Sequence, residues 1–314
     1  MKKLLYLAAI MLFVACGNDD DSVIDAVADV GTITALAATG TVAQQTPAEA
    51  KKTIYGKWDL SNSSKSIAAS KSNACAFDYI EFNDEDYIMS LVIDDETITV
   101  FGAYVLNEDA AGNVSSVELK FNLGASDITI ATLTNIVVVE SGDDLSATFN
   151  VELSIPEEAD FDACNSLKGD ITAEKDEPMA ESIGATADSN HAKLIKTWQI
   201  ASVTFGGNDA LSQFLEEPCI IDGPENGLIE GCSKANSVSL SFSAFGSYSL
   251  VWTGSNEGTL VDTDSWYWVG TDFTSFFTGN SEDPEDGGVI EINSLTDTEA
   301  VFQADGLIFT FIAQ

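Results

Sequence analysis

The strongest constraint on how this chain folds is that it repeats itself. Ile54-Tyr55-Gly56-Lys57-Trp58-Asp59-Leu60 aligns with Leu194-Ile195-Lys196-Thr197-Trp198-Gln199-Ile200, tryptophan on tryptophan, at an offset of 140 residues. Further on, Tyr79-Ile80-Glu81-Phe82 followed by Tyr87-Ile88-Met89-Ser90 is echoed by Val238-Ser239-Leu240-Ser241-Phe242 followed by Tyr248-Ser249-Leu250-Val251, and the offset has grown to about 160. Self-similarity at such a period means two copies of one structural unit. The growing offset places an insertion of about twenty residues in the second copy, between Gly206 and Asn236.

Both copies are written in short strands. In the first, residues 54–60, 77–82, 87–93, 97–105, 114–123, 127–133, 135–140 and 145–155 show alternation or β-branched enrichment, with Asn107-Glu108-Asp109 and Gly142-Asp143-Asp144 among the turn signals between them. In the second, residues 194–200, 238–242, 248–251, 265–269, 272–278, 289–295, 299–304 and 307–312 do the same. Helical periodicity is nearly absent. Evenly spaced strands joined by tight turns predict an all-β chain of two tandem antiparallel meander β-barrels, over residues 54–175 and 191–314. Residues 176–190, with Glu177-Pro178 and Ser182-Ile183-Gly184, read as the linker between them.

What precedes the first barrel is a targeting signal. Lys2 and Lys3 lead into an apolar run over residues 4–15, then Cys16 and Gly17-Asn18-Asp19-Asp20-Asp21. Twelve apolar residues make only about 18 Å of helix, too short to cross a bilayer and right for a cleaved signal peptide, residues 1–15. Phe13-Val14-Ala15-Cys16 resembles the lipobox of bacterial lipoproteins, which implies a mature chain beginning at acylated Cys16 and held to a membrane by its acyl chains. Residues 16–53 carry no aromatic side chain and read as a flexible tether, in which Pro47 to Lys52 is the stretch able to start a short helix. Asp19-Asp20-Asp21 also resembles the acidic surface-export signal of Bacteroidetes lipoproteins.

Charge removes whole classes of function. Cleavage takes away two lysines and no acids, leaving 51 acids against 11 lysines. Nucleic acid is excluded as a partner, and self-repulsion favours a soluble monomer. The chain has no arginine, and its one histidine, His191, sits at the end of the linker, where a solvated surface position is expected. With the commonest general base and the usual anion clamps nearly missing, a non-enzymatic role without cofactor is expected.

Beyond Cys16, four cysteines remain, two per copy: Cys75 and Cys164, Cys219 and Cys232. An even number in an exported chain reads as two disulfides, and one within each barrel is the simplest of three connectivities. No Cys-x-x-Cys occurs, so a zinc site is not expected. Asn107-x-Asp109 and the acidic loop 280–288 imitate calcium loops in part, the former reading better as a solvated hairpin turn.

Gly56-Lys57-Trp58, at the head of such a meander, resembles the lipocalin-like domains of Bacteroidetes lipoproteins. In that group an opening Gly-x-Trp is followed by a cysteine before the second strand, a Phe-x-x-Asp-Gly-x-Tyr-like hairpin and a final Leu-x-hydrophobic strand. The counterparts here are Cys75 and residues 82–87, then Trp198, Cys232, Phe242-Ser243-Ala244-Phe245-Gly246-Ser247-Tyr248 and residues 307–311. Lys196 stands where the second copy would have glycine, and the arginine that caps the tryptophan in lipocalins has no counterpart. The candidate ligand-binding residues are Trp58, Trp198, Trp252, Trp266 and Trp268. In an extended strand Trp266 and Trp268 share one face, which, turned inward, fills the barrel or lines an apolar pocket and, turned outward, forms a platform for sugar rings or a protein partner, core packing being the expectation. The implied function is an envelope lipoprotein, of the outer membrane or cell surface, that binds a small apolar ligand or glycan; the alternative is a structural or interaction lipoprotein without a small-molecule site.

Overall fold

The computed structural model describes residues 38–60, 75–84, 86–93, 96–123, 126–141, 144–156, 164–165, 167–215, 235–254, 259–279 and 287–314. Cys16 and the signal peptide, Cys219, Cys232 and most of the acidic loop 280–288 lie outside them.

Alternating apolar residues demand one dry face per strand, and each run of strands supplies it by closing on itself. In the first unit β1 (Gly40–Thr41) and α1 (Pro47–Ile54) precede β2 (Gly56–Asp59), β3 (Cys75–Phe82), β4 (Asp86–Ile93), β5 (Glu96–Glu108), β6 (Val114–Leu123), β7 (Ser126–Ser141), β8 (Asp144–Leu153) and β9 (Lys168–Lys175). Strands β2 to β9 pair antiparallel in meander order, and β9 returns to β2 to close an eight-stranded barrel. In the second unit α2 (Met179–Ile183) and α3 (Asn190–Leu194) lead into β10 (Thr197–Phe205), β11 (Asn208–Asp209) and α4 (Leu211–Phe214). There follow β12 (Ala235–Phe242), β13 (Ser247–Gly254), β14 (Thr259–Trp268), β15 (Ser275–Thr278), β16 (Gly288–Leu295), β17 (Glu299–Ala304) and β18 (Leu307–Ala313). Here β18 closes onto β10, again giving eight barrel strands, with β11 an extra edge piece. The chain is two closed meander barrels of lipocalin-like architecture in tandem.

The sequence repeat is a repeat of register. Trp58 sits opposite Ile80 and Trp198 opposite Leu240. The insertion falls in the connection from β10 to β12, where β11 and α4 are built from it.

Three boundaries differ from the sequence expectation. Residues 40–53, expected in the tether, belong to the first unit: Gly40 and Thr41 pair with Val138 and Val137 of β7, and Val42, Ala50 and Thr53 are buried. A capping box formed by Thr46 and Glu49, with Pro47 in the first turn, starts α1. The expected linker is equally occupied, since the Asp176 amide donates to the Lys57 carbonyl at 2.9 Å and the Met179 amide to that of Ala244 at 2.8 Å. Lastly, the expected strands 127–133 and 135–140 are one, β7, whose register shifts between Thr134 and Val137 where Asn135 takes φ +56°. The eighth barrel strand is instead β9, absent from the sequence reading.

Cys75 and Cys164 form a disulfide across 89 residues, as the pairing within one barrel anticipates. Beside it the Asn165 side chain acts as a stand-in strand, accepting from the Ile155 amide at 2.6 Å and donating to its carbonyl at 2.7 Å.

Candidate functional site

The five candidate tryptophans are all buried. Two of them close the barrels in the same way. The Trp58 indole N–H donates to the carbonyl of Ile54 at 2.7 Å, and that of Trp198 to Leu194 at 2.9 Å, so each caps the short helix that leads into its own strand. A lysine lies over each ring: Lys175 Nζ is 5.2 Å from the Trp58 ring centroid and Lys196 Nζ 5.4 Å from that of Trp198. Lys175 Nζ also donates to the Tyr55 carbonyl, and burial lowers its pKa to about 8.

Trp266 and Trp268 turn inward, so β14 presents no outward tryptophan platform. They pack edge to face at 5.5 Å, with Phe242 at 5.4 Å and Phe276 at 6.2 Å from Trp266. This aromatic plug fills the end of the second barrel where α3 enters. His191, expected on the surface, lies fully buried in it. Ser189 caps α3 by accepting from the Ala192 amide, and the one-turn helix carries His191 and Leu194 on its buried side. The His191 ring stacks on Trp266 at 5.8 Å, and its Nδ1 accepts from the Trp268 indole N–H at 3.1 Å. An indole nitrogen only donates, so the neutral imidazole carries its proton on Nε2. That N–H is buried and meets no acceptor among the described residues. Desolvation pulls the His191 pKa from 6.5 to about 4, which keeps the ring neutral at neutral pH.

Further along the same inward face the wall becomes polar. On β13, Tyr248, Leu250 and Trp252 belong to the core, and directly opposite them on β14 stand Asp264, Asp262 and Leu260. Residues directly opposed in a ladder share a face, so both aspartates point into the barrel. Asp262 is half-buried, and desolvation together with the Asp264 charge raises its pKa to about 6. The Tyr248 hydroxyl stands 3.4 Å from its Oδ2, longer than a full O–H···O bond. Trp252 packs against Phe214 of α4 at 4.9 Å, and its indole N–H is buried without an acceptor among the described residues. On its other edge β14 is taken up by β15 only from Trp266 to Trp268, so among the described residues the stretch from Thr259 to Asp264 is paired on one side alone.

The first barrel has a smaller counterpart. Tyr87 is fully buried opposite Phe82 and Gly102, its hydroxyl without a partner among the described residues, and burial pushes its pKa far up. Gly102 is required there, because a Cβ would fall 1.8 Å from the Lys120 carbonyl oxygen. At the hairpin 107–113, Asp109 spends its carboxylate on the amides of Ala111 and Asn113, at 2.8 and 3.0 Å, as a turn residue does. Among the described residues no group of three or more His, Cys, Asp or Glu side chains is placed to hold a metal ion.

A closed, inward-polar lipocalin-like barrel is thus the class that fold and site define. No protein-family model matches the sequence, and no curated protein matches it. Among solved structures the chain is similar to a lipocalin-like protein from Bacteroides uniformis ATCC 8492, at 13% identity over 39% of this chain and 99% of that one, with a TM-score of 0.27. It is also similar to an uncharacterized protein from Bacteroides eggerthii DSM 20697, at 10% identity over 38% of this chain and 99% of the other, TM-score 0.27.

Proposed function

We propose that this protein is a lipid-anchored envelope protein whose second barrel binds a small molecule without transforming it. The observation that carries the reading is the inward face of β13 and β14. A barrel packed only for stability has no use for Asp262 on its inner face, where desolvation raises its proton affinity, and burying the Trp252 N–H without an acceptor among the described residues costs free energy. A ligand with an apolar body and a few polar groups would satisfy them, and the aromatic plug would give it a rigid floor. Cys16, preceded by a signal peptide and lipobox-like residues, supports anchoring at the outer membrane or cell surface.

The test is native mass spectrometry of the full chain released from its own envelope. One small adduct per protein is expected, lost when Leu250 is changed to Arg to fill the inward face. A bare mass in several detergents would refute the binding reading. It would then favour a structural envelope protein, a role that the densely packed aromatic end of the barrel also suits.

A further inference from the structure

We propose that Phe214 is a tethered place-holder for the ligand: the slot it fills between Trp252 and Phe309 takes a neutral aromatic compound bearing a carbonyl or ether oxygen, which displaces the Phe214 ring and accepts from the Trp252 N–H. The inference rests on the ligand-binding reading above and names its ligand class.

The slot belongs to the second barrel alone. Phe214 is buried, its ring centroid 4.9 Å from that of Trp252 on β13 and 5.5 Å from that of Phe309 on β18, strands that are not neighbours in the sheet. Counting from the aligned Tyr87 and Tyr248, Trp252 corresponds to Leu91 of the first barrel. Counting back from Lys175 and Ala313, which stand opposite Trp58 and Trp198, Phe309 corresponds to Ile171. Leu91 and Ile171 are fully buried, so the first barrel closes this region with aliphatic side chains and the fold has no need of three rings here. Phe214 has no counterpart either, because the matching connection, residues 61–74, contains no aromatic residue. It is the one aromatic residue of the 206–234 connection, which carries the insertion.

The ring is held in place by little. α4 is four residues long, too short to be stable by itself. Its start is fixed by the Asp209 carboxylate, which accepts from the Leu211 amide at 3.0 Å, and by the Ala210 amide, which donates to the Val203 carbonyl at 2.8 Å. Beside the ring the Trp252 indole N–H is fully buried and meets no acceptor among the described residues; a phenyl ring offers it no oxygen. A ligand ring with an oxygen substituent would keep the aromatic packing and add the missing hydrogen bond. A carboxylate there would be repelled by Asp262 on the same inward face, which selects a neutral oxygen.

The test is titration of the uniformly 15N-labelled full chain, freed of co-purified small molecules, with acetophenone and with ethylbenzene, which lacks only the oxygen, followed by amide and indole NMR shifts at neutral pH. Acetophenone should bind about tenfold more tightly than ethylbenzene, the worth of one hydrogen bond to a buried N–H. Trp252→Phe keeps a ring, loses the N–H, and should abolish that preference. Asp209→Ala loosens α4 from an exposed position and opens no cavity, so acetophenone should bind about fivefold more tightly, because displacing Phe214 costs less. A Phe214 that is only core packing would leave the affinity of that variant unchanged. Equal binding of the two compounds, an Asp209→Ala variant that binds acetophenone no better than wild type, or binding of neither compound overturns the assignment. An envelope adduct seen while these titrations fail leaves the binding reading in place with a ligand of another class; a missing adduct strikes that reading instead.

Discussion

Replacing His191 by Phe tests the second barrel where the structure departs most from the sequence. The ring is fully buried against Trp266 and Trp268, and its pKa falls from 6.5 to about 4 because the plug desolvates it. A folded-state value below the unfolded one means that the unfolded chain takes up the proton first. The stabilising effect of a neutral, buried His191 is therefore complete above about pH 6.5 and is lost as pH falls toward 4. At about 1.4 kcal/mol per pH unit, the loss amounts to about 3 kcal/mol across that window. Phe fills the same space and cannot titrate, though it deprives the Trp268 N–H of its acceptor at a cost of about 1 to 3 kcal/mol that does not depend on pH. The many surface carboxylates titrate alike in both proteins and cancel in the difference. Urea unfolding followed by tryptophan fluorescence is the assay, since four of the five tryptophans lie in the second barrel. Between about pH 7 and about pH 4.5 the wild type should lose stability relative to His191→Phe by about 3 kcal/mol. Parallel curves would mean that His191 titrates as a solvated residue and that the plug is not as described.

Other consequences are open to direct measurement. Cys16→Ser should abolish incorporation of a tagged fatty acid, and equal labelling of mutant and wild type would end the lipoprotein reading. Replacing Cys75 and Cys164 together by Ala, which removes the bridge across 89 residues and leaves Cys219 and Cys232 untouched, should cost the first barrel about 4 to 5 kcal/mol and leave the melting of the second unchanged. Trp266→Ala removes a fully packed side chain and its N–H bond to the Ser243 carbonyl, so the second barrel should lose about 3 to 5 kcal/mol in chemical denaturation; an unchanged midpoint would contradict its burial.

The architecture was legible because period-two alternation and turn residues are local signals, and the tandem repeat doubled them. What escaped was non-local. β9 reads Lys168-Gly169-Asp170-Ile171-Thr172-Ala173-Glu174-Lys175, with only Ile171 and Ala173 turned to the core, and it is a strand because β8 and β2 both need an edge partner. The break at Asn135 looked like a turn, yet a bulge lets β7 run through it. His191 was misplaced because a one-turn helix is too short to show periodicity; its one signal was the capping Ser189 just ahead of it. For the candidate site the tryptophans were found by type, while the carboxylates beside them were not. Counting back by twos from Trp266 reaches Asp264 and Asp262, and this would have placed both on the inward face had the strand been extended to Thr259. Trp58 and Trp198 stand in the first strands of their barrels, with their indole N–H groups already used by helix carbonyls.

The most direct test of the second barrel as a binding chamber is an NMR spectrum of the full chain labelled with 15N at tryptophan, recorded before and after removal of any co-purified small molecule. The account predicts that occupancy moves the indole signal of Trp252, whose N–H has no acceptor among the described residues, and leaves those of Trp58 and Trp198, already bonded to Ile54 and Leu194, in place. A spectrum in which Trp252 is unmoved while a ligand is demonstrably bound would contradict it.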